Sequence, residues 1–163
     1  MNEIKLYASA SILGGLLRVT ASFLDQNFAA ESIEVWYITT DLCLVLGLIG
    51  FYSVYRQSLF WLGHLGFAIA ICSLAFIAGP ETEIFGTSAY QIGSPTLGVG
   101  LLLLSINLIS AKLCGLVAPI SFVASVIIGL ISIILGSDLL FVVTGLLFGS
   151  GFIGLGIHVW QDS

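Results

Sequence analysis

Apolar residues run along this chain in long stretches, and short polar breaks separate them. Cutting at the breaks leaves six apolar stretches, at about 4–24, 33–55, 59–79, 96–111, 116–135 and 139–160. Most are close to the ~20 residues an α-helix needs to cross a hydrocarbon core. They are too long and too continuous for barrel strands, which alternate in-and-out over about ten residues. In lipid, only helices and closed barrels satisfy the backbone. The pattern therefore predicts an all-α, polytopic six-transmembrane-helix bundle, with residues 1–163 as a single membrane domain. The stretch 96–111 is the short one, which implies a start nearer Tyr90 or a helix tilted less than its neighbours. Short turns make consecutive helices antiparallel neighbours.

The breaks sort by charge. Lys5, Arg56 and Lys112 fall on one face of such a bundle, and Asp25, Glu31, Glu81, Glu83 and Asp138 on the other. Basic loops are retained on the inner side. Both termini are accordingly expected in the cytoplasm, with the chain a multi-pass component of the cytoplasmic (inner) membrane. Aromatic residues mark the same edges: Trp36 and Tyr37 open the second stretch, Tyr52, Tyr55, Phe60 and Trp61 surround the 56–58 turn, and Trp160 closes the sixth. Their rings are apolar and their polar atoms seek water, so they collect at interfaces. The N-terminal stretch is not read as a cleaved signal, because Arg18 interrupts it and it is too long for a signal core.

Composition agrees with this picture. The 163 residues are 58% hydrophobic and 8% charged, against about a quarter charged in soluble domains, so no second, soluble domain is expected. Four dispersed basic residues cannot make a nucleic-acid surface or a polybasic lipid-recruiting cluster. Cys43, Cys72 and Cys114 have no CxxC spacing and read as small apolar packing residues. His64 and His158 form neither an HxxxH nor an ExxH pair, which disfavours a di-iron or zinc site. No Ser-His-Asp set and no phosphate-binding glycine loop can be assigned. No cofactor is expected. The acidic pair in Pro80-Glu81-Thr82-Glu83 reads as an exposed outer loop rather than a cation site.

The informative polar residues lie inside the apolar stretches, where a charge is costly and marks function by default. Arg18 stands ~9 Å and Asp41 ~12 Å from the outer edge at the helical rise, on antiparallel neighbours. They can meet, either as an ion pair fixing helix register or as the polar floor of an outward-opening cavity. Glu34, Tyr37 and Asp41 share one helix face, which leads from the surface to that floor. Glu34, Tyr37, Arg18 and Asp41 are therefore the candidate ligand-binding residues. His64 and Asn107 could extend a polar track from Asp41 across the membrane as a proton path, provided three helices face one another. Gly145 and Gly149 stand at GxxxG spacing, which suits packing inside the bundle or a homodimer seam. The two halves of the chain show no convincing internal repeat.

The run Asp41-Leu42-Cys43-Leu44-Val45-Leu46-Gly47-Leu48-Ile49-Gly50-Phe51-Tyr52, with Arg18 before it and the glycine-rich tail from Gly145 to Trp160, resembles a loose group of small bacterial multi-spanning membrane proteins. The resemblance implies a membrane bundle and carries no activity. The leading expectation is a non-enzymatic membrane protein that binds a hydrophobic small molecule or a membrane partner through an outer-half cavity organised by Arg18 and Asp41. The alternatives are an intramembrane enzyme acting on an isoprenoid or lipid, with Asp41 as general acid, and a proton-coupled small transporter.

Overall fold

The computed structural model describes residues 3–23, 30–78, 83–84 and 87–163. Asp25, Pro80, Glu81 and Thr82 lie outside the described residues, as do the side chains of Glu31 and Glu83. Six helices carry the fold: α1 (Glu3–Ala21), α2 (Ala30–Tyr55), α3 (Trp61–Ile77), α4 (Ala89–Ala111), α5 (Val117–Leu135) and α6 (Asp138–Gln161). A small hairpin of β1 (Glu83–Ile84) and β2 (Thr87–Ser88) precedes α4, with Glu83 opposite Ser88 and Ile84 opposite Thr87.

Four segments are long and apolar enough to cross a membrane: Ile33–Tyr55 within α2, and the whole of α4, α5 and α6. The other two fall short for separate reasons. Lys5 and Arg18 dilute the apolar character of α1. The apolar α3 has 17 residues, ~26 Å at a rise of ~1.5 Å per residue. The surface fits a lipid setting, because large apolar side chains are widely exposed on it: Ile134 is 80% exposed and Leu139 72%. Water would penalise such a surface, and lipid does not.

The fourth helix is longer than the apolar stretch 96–111 and begins at Ala89, beside Tyr90, the earlier start that the short stretch left open. Ser88 takes the N-cap position and its hydroxyl accepts from the Gln91 amide at 3.3 Å, satisfying a donor the helix leaves open. Pro95 consequently lies inside the helix rather than before it. Its missing amide costs one backbone bond, a cost that membrane helices tolerate. Pro119, by contrast, falls in the first turn of α5 as its position suggested. At the far end of α5, Gly136 adopts φ +60°, the left-handed geometry that a Cβ would resist.

The helices pack as a ring in chain order, with α6 closing on α1. The most extensive seams are α1–α6 and α3–α4, and glycine builds both. A Cβ on Gly15 would stand 2.6 Å from the Gly149 carbonyl oxygen, and one on Gly149 would stand 2.6 Å from that of Gly15. On the other seam, a Cβ on Gly66 would stand 2.7 Å from the Gly100 carbonyl oxygen. Backbones this close leave no room for side chains between them. Ser11 adds a polar tie across α1–α6 by donating to the Phe152 carbonyl at 2.8 Å. Trp36 Nε1 ties α2 to α1 through the Leu17 carbonyl at 3.1 Å. The centre of the ring is filled by Leu44, Leu48 and Phe51 from α2, Leu101 and Leu104 from α4, and Phe152 from α6, all essentially inaccessible.

Gly145 and Gly149 are therefore committed to packing inside the chain. Gly149 lies on Gly15 and Val19, and Gly145 on Ser22. Of the two uses open to this glycine pair, the internal one is realised, because α1 already covers the face a second copy would need.

Candidate functional site

Four helices converge on one guanidinium. Arg18, in the last turn of α1, extends its long side chain across the end of the bundle. Its Nη2 donates to the Tyr90 hydroxyl of α4 at 3.3 Å. Its guanidinium carbon lies 5.9 Å from the Tyr37 ring centroid of α2 and 5.7 Å from that of Phe148 on α6. Guanidinium groups are favoured over such ring faces, all the more where water is scarce. A side chain with five donors thus uses one hydrogen bond and two aromatic walls among the described residues.

Asp41 sits nearby on α2, 9% exposed. The two charges interact electrostatically, as their similar depths suggested, but they do not form the direct ion pair the sequence allows. Arg18 engages Tyr90 instead, and among the described residues the Asp41 carboxylate makes no hydrogen bond or ion pair. The reason is geometric. Tyr37, one helical turn from Asp41, presents its ring to the guanidinium, and the phenol of Tyr90 supplies the nearer acceptor. Thr40 spends its hydroxyl on the Trp36 carbonyl at 2.8 Å. Glu34 is exposed one turn further out. In the sequence Tyr90 stands out only as a possible start of the fourth helix, not as a partner for Arg18. A phenol at the mouth of an early-starting helix, level with Arg18, was the available signal.

The structure separates the proposed proton path into two parts. Asn107 lies in the last turns of α4 and backs onto Gly63, where a Cβ would stand 2.7 Å from its Oδ1. That oxygen is buried and has no hydrogen-bond partner among the described residues. His64 turns to Tyr52, with Nδ1 3.1 Å from the hydroxyl. Asp41 is fourteen residues before the end of α2, ~21 Å along the axis. Between them lies the apolar centre of Leu44, Leu48, Leu101 and Leu104. Apolar side chains therefore separate Asp41 from the end of the bundle that carries His64 and Asn107.

A second polar cluster, which the sequence reading did not find, gathers at the Lys5 end. The Tyr55 hydroxyl at the end of α2 donates to the Asp162 carboxylate. The Tyr55 ring stacks on His158, centroids 6.1 Å apart. His158 Nε2 donates to the Leu113 carbonyl at 3.0 Å and lies 3.8 Å from Asp162. The cluster thereby ties α2, α6 and the α4–α5 turn together, and it covers Cys114 in that turn. Burial pushes the Cys114 thiol up from 9.0 to about 11. Since the thiolate is the reactive form, alkylation of Cys114 in a variant lacking the other two cysteines is expected to be slow at neutral pH and to keep accelerating up to about pH 11. A rate that levels off near 9 would show an open turn.

Two surface depressions, about 300 and 200 Å³, lie away from Arg18 and Asp41. One is a furrow between α1 and α6 lined by Ile12, Ile157, Trp160 and Gln161, and the other lies at the α5–α6 turn around Gly136. Comparison with family models, curated proteins and solved structures matched nothing at a significant level, so the site stands on its own geometry.

Proposed function

We propose that this chain is a six-span protein of the cytoplasmic membrane with both termini inside, and that it binds a hydrophobic or amphipathic molecule at the Arg18 end of the bundle, in the outer half of the membrane. Adding α1 and α3 to the four clearly membrane-length segments gives six spans. That count places Lys5, Arg56 and Lys112 on a common side, as positive-inside retention requires. The observation that carries the binding role is the underused polarity of the Arg18 site. Among the described residues, a guanidinium with spare donors stands against two aromatic rings and near a buried carboxylate without a hydrogen-bond partner, at a depth where polar capacity is costly to leave idle. A ligand with a polar head and an apolar body matches that arrangement. Tyr37 and Glu34 would line its approach.

Binding rather than catalysis is favoured because the Arg18 guanidinium meets a phenol and two aromatic rings, surroundings that suit holding a molecule. Proton-coupled transport is the less supported reading, since apolar side chains of Leu44, Leu48, Leu101 and Leu104 stand between Asp41 and His64.

Native mass spectrometry of the protein released from mild detergent tests the reading. Wild type is expected to carry a bound small molecule that the Arg18→Leu, Asp41→Leu double variant lacks. Bare protein in both cases would leave the polar cluster as a structural clamp and remove the binding role.

A further inference from the structure

The furrow between α1 and α6 carries a second site, independent of the first. It has a volume of about 300 Å³, and it is lined by Ile12 of α1 and by Ile157, Trp160 and Gln161 of α6. It exists because α1 and α6 cross on small residues. A Cβ on Gly156 would stand 2.8 Å from the Ala8 carbonyl oxygen, so the helices touch there and the bulkier side chains splay around the contact. Lys5 stands beside it, with its Nζ 5.5 Å from the ring centroid of the lining residue Trp160. Lys5 and Ile12 are seven residues apart on one helix face, ~10 Å along the axis. An ammonium at the membrane surface thus stands above an apolar slot that descends into the hydrocarbon.

Lys5 has no carboxylate partner among the described residues. Asp162, a carboxylate two residues beyond Trp160, is held by the Tyr55 hydroxyl and lies beside His158. The Tyr55–His158–Asp162 cluster thus occupies the Asp162 side chain away from Lys5.

We infer that the α1–α6 furrow binds an anionic phospholipid, with the phosphate on Lys5 beside Trp160 and an acyl chain along Ile12 and Ile157. Charge and shape point to the same occupant. A lysine near the surface favours anionic headgroups, an aliphatic slot favours a chain, and an interfacial tryptophan marks the boundary between the two. The inference uses the membrane setting proposed above but not the Arg18 site.

The test is native mass spectrometry of the full chain titrated with phosphatidylglycerol, and separately with phosphatidylcholine. Wild type is expected to retain phosphatidylglycerol in preference to phosphatidylcholine. Lys5→Ala is expected to weaken that binding about fivefold, the effect of one surface lysine. Ile157→Trp, which fills an exposed part of the slot and keeps the charge, is expected to weaken it as well. Arg56→Ala removes an exposed cation that does not line the furrow and is expected to leave binding unchanged. Equal retention of the two lipids, wild-type binding by Lys5→Ala, or equal losses in Lys5→Ala and Arg56→Ala would each overturn the site. The readout does not depend on which side of the membrane Lys5 faces or on a ligand at Arg18, so failure of the first proposal and failure of this one are separable.

Discussion

Gly149→Ala is expected to destabilise the bundle by about 2 kcal/mol or more, near the upper part of the range for overpacked cores, whereas Gly154→Ala, five residues along the same helix, is expected to be neutral or stabilising by up to about 1 kcal/mol. Both changes add one methyl group to α6, so intrinsic helix propensity favours both equally. The surroundings decide the sign. At Gly149 the new Cβ would stand 2.6 Å from the Gly15 carbonyl oxygen and 3.2 Å from the Val19 amide nitrogen. Those atoms belong to the backbone of α1 and cannot move without shifting the helix. At Gly154 the nearest atoms are 3.4 Å away, which is ordinary contact. Gly149→Leu drives the helices apart outright, and since a domain's whole stability is about 5–15 kcal/mol, little folded protein is expected. Detergent-denaturation midpoints followed by circular dichroism compare the three variants. Equal midpoints for Gly149→Ala and Gly154→Ala would refute the internal seam. A dimer seam would give a different result again, with folded protein that has lost only its self-association.

The fold was legible in the sequence wherever one physical signal acted alone. Apolar length gave α2, α5 and α6 to within a few residues, because a lipid-embedded backbone has no alternative to the helix. The start of α4 was less legible because two local signals compete there. Pro95 reads as a boundary, while Ser88 supplies a cap seven residues earlier, and the capped start prevails. The glycine pair at 145 and 149 announced a close approach but not its partner. Nothing in a one-dimensional pattern tells whether the facing helix belongs to the same chain, and Gly15 on α1 becomes meaningful only once the ring closes. The site was half legible. Arg18 and Asp41 stand out because charges are rare in apolar runs, and their proximity followed from depth alone. Tyr90 and Phe148 did not stand out, because aromatic residues are common at membrane edges and in cores. The Tyr55–Asp162 contact joins residues more than a hundred positions apart through the ring closure, and no local pattern carries it.

Arg18→Leu is expected to cost about 3 kcal/mol, at the lower end for removing one member of a buried charge pair, and Asp41→Leu below about 1 kcal/mol because the arginine left behind can move its head toward water. The asymmetry follows from position. Asp41 is 9% exposed and without a hydrogen-bond partner among the described residues, on a short side chain that cannot leave its depth. Arg18 is only partly buried and sits in the last turn of its helix, with Tyr90 and two aromatic rings to hold it after Asp41 is gone. The double variant is expected to be no less stable than Arg18→Leu alone, because removing the stranded carboxylate relieves the cost that the first change created. A double-mutant cycle on unfolding free energies in detergent measures this. Non-additivity of about 1 kcal/mol or more is expected for coupled neighbours. Strict additivity would mean the two charges do not sense one another and that Tyr90 alone organises Arg18. The same cycle separates the two roles the pair can play. A double variant that folds as well as wild type but no longer carries a small molecule assigns the polarity to binding. One that folds better than wild type and binds as before would leave these two charges without a functional account, and the ligand would then have to be sought in the furrow beside Lys5.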